Sequence, residues 1–398
     1  MQYDFNFYSS LLLITFSQGI IYSILILKKA IQTSSKPDYW LSLFVFLCSL
    51  FIAPWMLGFA GWYDNQPYRN FMFYVPFQHL LFIGPVLFFY IQSLLNPSFR
   101  MDKKQFIHLI PEILYLLYIF GIFIYDKFIF RKPFFYANGM DKDFDSWYQY
   151  LGFISMLIYL ILSIKYYSNY KKLIVQITSN ADAVLFDWIR KYLFAFLAMI
   201  LLKIVAELLA TIYPEYTNYV SGWWFYLLYS IVLYYIAITG YSNVIVTKIG
   251  YQMSVFDAKP ILLLDENQIK NEDLIDITNS DLKIEITSEI MAWKIKIETL
   301  IQSEKLYQNP ELSLTEISKK LESNSSIISK AINQGFGMNF NDYINNYRIE
   351  AVKEMFQIGE HKKSTLLGIA YDCGFNSKAT FNRAFRKNTG QTPKEFLN

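Results

Sequence analysis

The sequence predicts an all-α protein in two unlike parts. A bundle of seven bilayer-length helices comes first, then an acidic connector, then a compact all-helical domain with two helix-turn-helix motifs. Three observations carry this reading. Residues 1–242 hold seven long apolar runs, residues 243–288 gather acids instead, and from residue 289 apolar positions return at the helical period. Hydrophobic residues make up 54% of the 398 and aromatics 19%, more than an ordinary soluble protein carries. The net charge of +3 averages two different halves and excludes no class of partner.

The apolar runs fall near residues 8–27, 39–59, 75–95, 108–125, 151–167, 192–212 and 223–240. A spanning helix needs about 20 residues. Ahead of the first run stands Asp4 with no lysine or arginine, unlike a cleavable signal peptide, so the run reads as an anchor with the N-terminus outside. Basic residues set the orientation. Lys28, Lys29 and Lys36 follow the first run, Arg100, Lys103 and Lys104 the third, and Lys165, Lys171, Lys172, Arg190 and Lys191 surround the fifth-to-sixth loop. The opposite loops hold Arg69, and Lys127, Arg131, Lys132 and Lys142 offset by Asp126, Asp141, Asp143 and Asp145. The positive-inside bias makes the first set cytoplasmic, in a bacterial inner membrane, with the C-terminus inside. Trp40, Trp62, Trp147, Trp188, Trp223 and Trp224 fall at run ends, where an interfacial aromatic belt belongs.

Polar residues inside the runs are costly. Lys203 and Glu207 are spaced i, i+4 in the middle of the sixth run; they read either as an intramembrane switch or as inter-helix glue. His108 and Glu112 share that spacing near a cytoplasmic end and are expected as inter-helix glue or as side chains that snorkel to the interface, ahead of a ligand pocket or switchable polar network. Gln78 and His79 sit early in the third run. His79, His108 and Glu112 are expected near different ends, which speaks against an intramembrane catalytic pair. Cys48, Cys373 and the scattered His79, His108 and His361 show no ligand spacing, so no metal, cofactor or catalytic site is expected. Without an internal repeat, Pro54, Pro76, Pro85 and Pro111 are too little to favour the alternative, a transporter or channel with an appended regulatory domain.

The connector carries Asp257, Asp265, Glu266, Glu272, Asp273, Asp276, Asp281 and Glu285, with short local structure expected around residues 261–264 and 282–286. Beyond it, Met291, Ile295, Leu300 and Leu306 mark a first helix. Ser313-Leu314-Thr315-Glu316 forms a capping box that opens a second, with Ile317 and Leu321 inward. A third helix carries Ile328 and Ile332 inward and Ser326, Ser329, Lys330 and Asn333 outward. One helix is expected from about residue 341 to 356. Then Leu366, Ile369, Ala370 and Cys373 line a short helix, Gly374 ends it, and Ser377 caps another whose Phe381 and Phe385 point inward. Lys378, Asn382, Arg383 and Arg386 occupy its other faces. Thr392-Pro393-Lys394-Glu395 opens a last helix as a capping box with proline at its first position.

Gly374-Phe375-Asn376-Ser377, Phe381-x-Arg383-x-Phe385-Arg386-Lys387, Gly390-x-Thr392-Pro393-x-x-Phe396 and Asn339-Phe340-x-Asp342-Tyr343-Ile344-Asn345-x-Tyr347-Arg348-Ile349 resemble the signature of AraC-type (AraC/XylS) transcription regulators over about the last 110 residues. Seven spans ahead of such a domain resemble a known membrane-bound bacterial arrangement. The resemblance implies a DNA-binding output, with Ser326, Ser329 and Lys330 of the first recognition helix and Lys378, Ala379, Asn382 and Arg383 of the second at base edges. Asn333 and Asn376 complete the expected DNA-binding set. Arg386 and Lys387 are expected on phosphates, which position without specifying. Expected partners are double-stranded DNA, membrane lipid, an unidentified signal or ligand and a second copy of the chain; the resemblance adds RNA polymerase.

Overall fold

The structure is a computed structural model that describes residues 5–96, 99–181, 187–213, 220, 222–242, 250–252, 261–263 and 288–397. It divides into two compact units: Met1–Tyr166 with Asp187–Lys248, and Tyr167–Phe186 with Ile249–Asn398.

The first unit opens with α1 (Phe7–Thr33), capped by the Asn6 side chain, which accepts the Ser9 N–H at 3.0 Å. There follow α2 (Lys36–Leu50), α3 (Ala53–Phe59), α4 (Tyr68–Tyr74) and α5 (Leu80–Leu95). Next come α6 (Ile110–Ile124), α7 (Ser146–Ile174), α8 (Asp187–Ile212) and α9 (Trp223–Ser242). α1 packs on α2 and α9, α2 on α5, and α8 on α9. Where α1 meets α2, the Ser23 and Ser42 hydroxyls each donate to the other's backbone oxygen, at 3.1 and 2.8 Å. Small residues let the two backbones approach there.

Among the described residues, six helices are long and apolar enough to cross a membrane: Phe7–Thr33, Lys36–Phe59, Lys103–Ile129, Ser146–Ile174, Trp188–Ile212 and Trp223–Ser242. The expected span at 75–95 is different. Its helix, α5, has only 16 residues and is almost wholly buried, and it measures about 24 Å against a hydrocarbon core of about 30 Å. Pro76 is the cause. It holds Val75 in an extended conformation, as a following proline does, and the chain stays non-helical until Leu80.

The freed backbone groups are satisfied from within the bundle. Asp143 accepts the N–H groups of Phe77 and Gln78 at 2.7 and 3.0 Å, the Tyr148 hydroxyl accepts that of Leu80 at 3.0 Å, and Glu112 accepts that of Leu81 at 3.1 Å. Irregular backbone is tolerated in apolar surroundings where protein supplies such partners. Of the two structural readings of Glu112, glue between segments holds and snorkelling does not: it is fully buried, with His79 Nδ1 at 3.0 Å. One expectation is corrected. His79 and Glu112 therefore meet instead of lying at different ends, while His108 turns to the Tyr159 hydroxyl at 2.7 Å.

In the second unit, β1 (Gly250–Gln252) pairs antiparallel with β2 (Ile261–Leu263), the local structure expected near 261–264. The rest of the expected 243–288 connector, including 282–286, lies outside the described residues. Every other element described is helical: α10 (Ser288–Ser303), α11 (Leu314–Lys320), α12 (Ser325–Gly335), α13 (Phe340–Gln357), α14 (Leu366–Asp372), α15 (Lys378–Thr389) and α16 (Pro393–Leu397). α10 buries Ile290, Ile297 and Ile301 and leaves Met291 and Ile295 exposed, so its inward face is one step away from the stripe that marked it. The last capping box forms in full: Thr392 N–H donates to Glu395 at 2.8 Å and Glu395 N–H to the Thr392 hydroxyl at 3.3 Å.

Candidate nucleic-acid interface

The second helix-turn-helix is built around one apolar cluster. Ile349, Val352 and Phe356 of α13 meet Ile369 and Ala370 of α14, Cys373, Phe375, and Phe381 and Phe385 of α15. Gly374 joins α14 to α15 at φ +94°, and a Cβ there would collide with the backbone oxygen of Tyr307. Only glycine meets both demands. Burial pushes the Cys373 thiol up to about 11, so it is an inert core residue. The Ser377 hydroxyl accepts the Thr380 N–H at 3.1 Å and fixes the start of α15.

With Phe381 and Phe385 inward, Asn376, Lys378, Ala379, Asn382, Arg383, Arg386 and Lys387 are all exposed. Partial burial lowers the Arg383 guanidinium from its ordinary value, yet a guanidinium stays charged. Lys387 has a partner that sequence spacing did not show: its ammonium lies 2.6 Å from the Asp342 carboxylate on α13. Asn388 donates to Asn346 at 3.1 Å beside it. A polar cavity of about 640 Å³ brings Asn333 of α12 together with Lys387, Asn388, Asp342 and Asn346. The amide-rich stretch after Asn339 was the visible sign of this cluster.

In the first motif the Asn324 side chain caps α12 by accepting the Ser326 N–H at 2.6 Å. Ile328, Ala331 and Ile332 are buried, Lys330 is exposed, and Ser326 and Asn333 are half-buried. Ser329 departs from expectation. It is only 6% exposed: three residues before Ile332, it falls about 60° round the helix from that buried side chain, and its hydroxyl accepts from Asn333 at 3.4 Å. It is removed from the accessible set. α13 separates the motifs with 18 residues, about 27 Å of helix.

In the first unit, Lys203 and Glu207 do pair, at 2.7 Å along α8. They sit in its C-terminal half and not at its centre, and the Glu207 side chain is 65% exposed. Both line a cavity of about 500 Å³ with Trp55, Gln149, Phe153 and Tyr226.

Residues 305–398 match the family of helix-turn-helix domains. Over 101 residues the chain is 32% identical to uncharacterised HTH-type transcriptional regulators of Staphylococcus aureus strains COL, MSSA476 and N315. Each match covers 25% of this chain and 13% of the relative, so the chain spans about an eighth of the length of these relatives. No solved structure matches. Fold, caps and comparison agree: the C-terminal region is a helix-turn-helix domain of the AraC type.

Proposed function

We propose that the chain is a membrane-embedded, sequence-specific DNA-binding transcription regulator that senses a signal through its first unit. One observation carries the reading: a single chain joins six bilayer-length apolar helices to a domain with two helix-turn-helix motifs. α5 is the seventh crossing, with the non-helical residues 75–79 adding to the length of its short helix. Seven crossings leave the N-terminus outside and residues 289–398 in the cytoplasm, on the side of the basic loops.

Lys378, Asn382 and Arg383 read base edges in one major groove, since arginine bonds guanine and asparagine adenine bidentately. Ser326 and Lys330 enter the next groove, about 34 Å away, a spacing that α13 nearly matches. Arg386 and Lys387 hold phosphates. In the first unit, the Lys203–Glu207 pair on the wall of the cavity is the site where a ligand or proton biases the helices.

The broken third span is a feature that a transporter or channel with an appended regulatory domain would share. The acids that meet it, Asp143 and Glu112, are however engaged by N–H and O–H groups of the bundle, which fits a structural joint better than a path. Cross-linking the full chain to DNA in intact cells and sequencing what co-purifies with the membrane fraction tests the reading. A small set of recurring sites is expected; uniform genomic background contradicts it.

A further inference from the structure

The second unit includes Tyr167–Phe186, the last turns of α7 and the connection from it to α8, two helices of bilayer length. Within that stretch Ile174, Ile177, Thr178, Ser179 and Ala181 are buried. Thr178 forms an antiparallel bridge with Ser313, flanked by Ser179 N–H donating to Leu312 O at 3.1 Å and Leu314 N–H to Ile177 O at 2.8 Å. The Asn341 N–H donates to Val175 O at 3.0 Å and its side chain to Thr178 O at 3.3 Å.

Leu314 opens α11 and Asn341 is the second residue of α13. Helix starts leave their first amides without intrahelical acceptors. Here the stretch from the α7–α8 connection supplies the acceptors for one helix of the first helix-turn-helix and for the helix that spaces the two motifs. Arg348 fastens it. The side chain is 1% exposed, and its guanidinium donates to Ser179 O and Ser179 Oγ, both at 3.0 Å. It also reaches Tyr307 O, Asn309 O and Asn345 Oδ1 at 2.8, 2.8 and 3.2 Å. All five acceptors are uncharged, and burial pushes the guanidinium down to about 10. Gln176 lines the polar cavity that holds Asn333 and Lys387.

We propose that Leu312–Leu314, Asn341 and Arg348 form a docking surface whose occupant is the segment 175–181 of the same chain, and that this contact relays movement of α7 and α8 to the DNA-binding motifs. The relay rests on the DNA-binding reading; the docking does not. Because the covalent connection through residues 243–288 is separate from it, the docked segment is a second tie between the membrane helices and the motifs.

Docking is tested in native membranes with Thr178→Cys/Ser313→Cys and a protease site placed in residues 264–287. Thr178 and Ser313 are a non-hydrogen-bonded antiparallel pair, with Cα atoms about 4.5 Å apart, where disulfides close readily. After mild oxidation and cleavage, the two fragments stay joined until reduced. Fragments that separate as readily as those of an Asn138→Cys/Ser313→Cys control overturn the docking. The relay is tested by replacing residues 175–180 with glycine and serine at equal length. Protein level holds, while recovery of bound sites by cell cross-linking falls about tenfold. Unchanged recovery with an unbroken site profile overturns the relay even where the disulfide forms.

Discussion

Lys387 and Asp342 lie 2.6 Å apart, an ion pair that ties α15, the proposed second recognition helix, to α13, the helix separating the two motifs. Both side chains are reachable by solvent, at 65% and 26% exposure, so the pair itself adds about 0–1 kcal/mol. If Lys387 holds phosphate as proposed, that phosphate must take it from a carboxylate. Asp342→Asn should therefore raise affinity for random and specific DNA alike, and Lys387→Ala should lower both while flattening the salt dependence by about one unit of slope. Titrations of full-length protein at several salt concentrations decide; an unchanged slope in Lys387→Ala removes it from the phosphate contacts.

Arg383 is exposed on the face of α15 opposite Phe381 and Phe385. Arg383→Ala should cost about 1–3 kcal/mol on a specific site and relax preference at particular base pairs. Binding to a randomised site library measures this. Equal losses on specific and random DNA would move Arg383 from the proposed base contacts to the proposed phosphate contacts.

The helix-turn-helix domain was legible because its signals are local. Ser377, Gly374 and the Thr392–Glu395 box each act within four residues, and each forms as its spacing dictates. What was not legible depends on neighbours distant in sequence. Glu112 meets His79 across 33 residues, Asp143 caps Phe77 across 66, and Arg348 holds Ser179 across 169. Periodicity shows which face of a helix is apolar, not what packs on it. It missed the short α5 because Pro76 weighs little in an apolar run until an acid is seen to take the freed amides. Ser329 was misplaced for the same reason: it stands at the edge of the Ile328 and Ile332 stripe, and periodicity does not show which edge is covered.

Removing both charges on α8, as Lys203→Met with Glu207→Gln, should hold transcription from a bound promoter constant across growth conditions over which the wild type varies. Removing one charge leaves the other unpaired beside the cavity, so single variants are expected to bias the output to one state. Full variation in the double variant, with normal protein level, makes the pair structural.

Asp141 sits in the loop between α6 and α7. Burial first, and then the Asp143 charge, push its carboxyl up to about 8 from 3.8, against a 2.6 Å hydrogen bond from the Tyr63 hydroxyl. The folded chain therefore holds that proton more tightly than the unfolded chain does. The stability it contributes is full at acid pH and is lost as pH rises from about 4 through about 8. Asp141→Asn keeps an acceptor for Tyr63 and cannot ionise. Thermal unfolding of the purified chain across that window should fall with pH in the wild type and be flatter in the variant; parallel curves would contradict the assignment.

The central claim, that one chain reads two successive major grooves through α12 and α15, is tested most directly by footprinting the full-length protein in lipid nanodiscs on a recovered genomic site. Two protected blocks on one face of the duplex are expected, about 10 base pairs apart, the α12 block weakening with Lys330→Ala and the α15 block with Arg383→Ala. A single block that responds to Arg383→Ala alone, or protection without sequence preference, would contradict it.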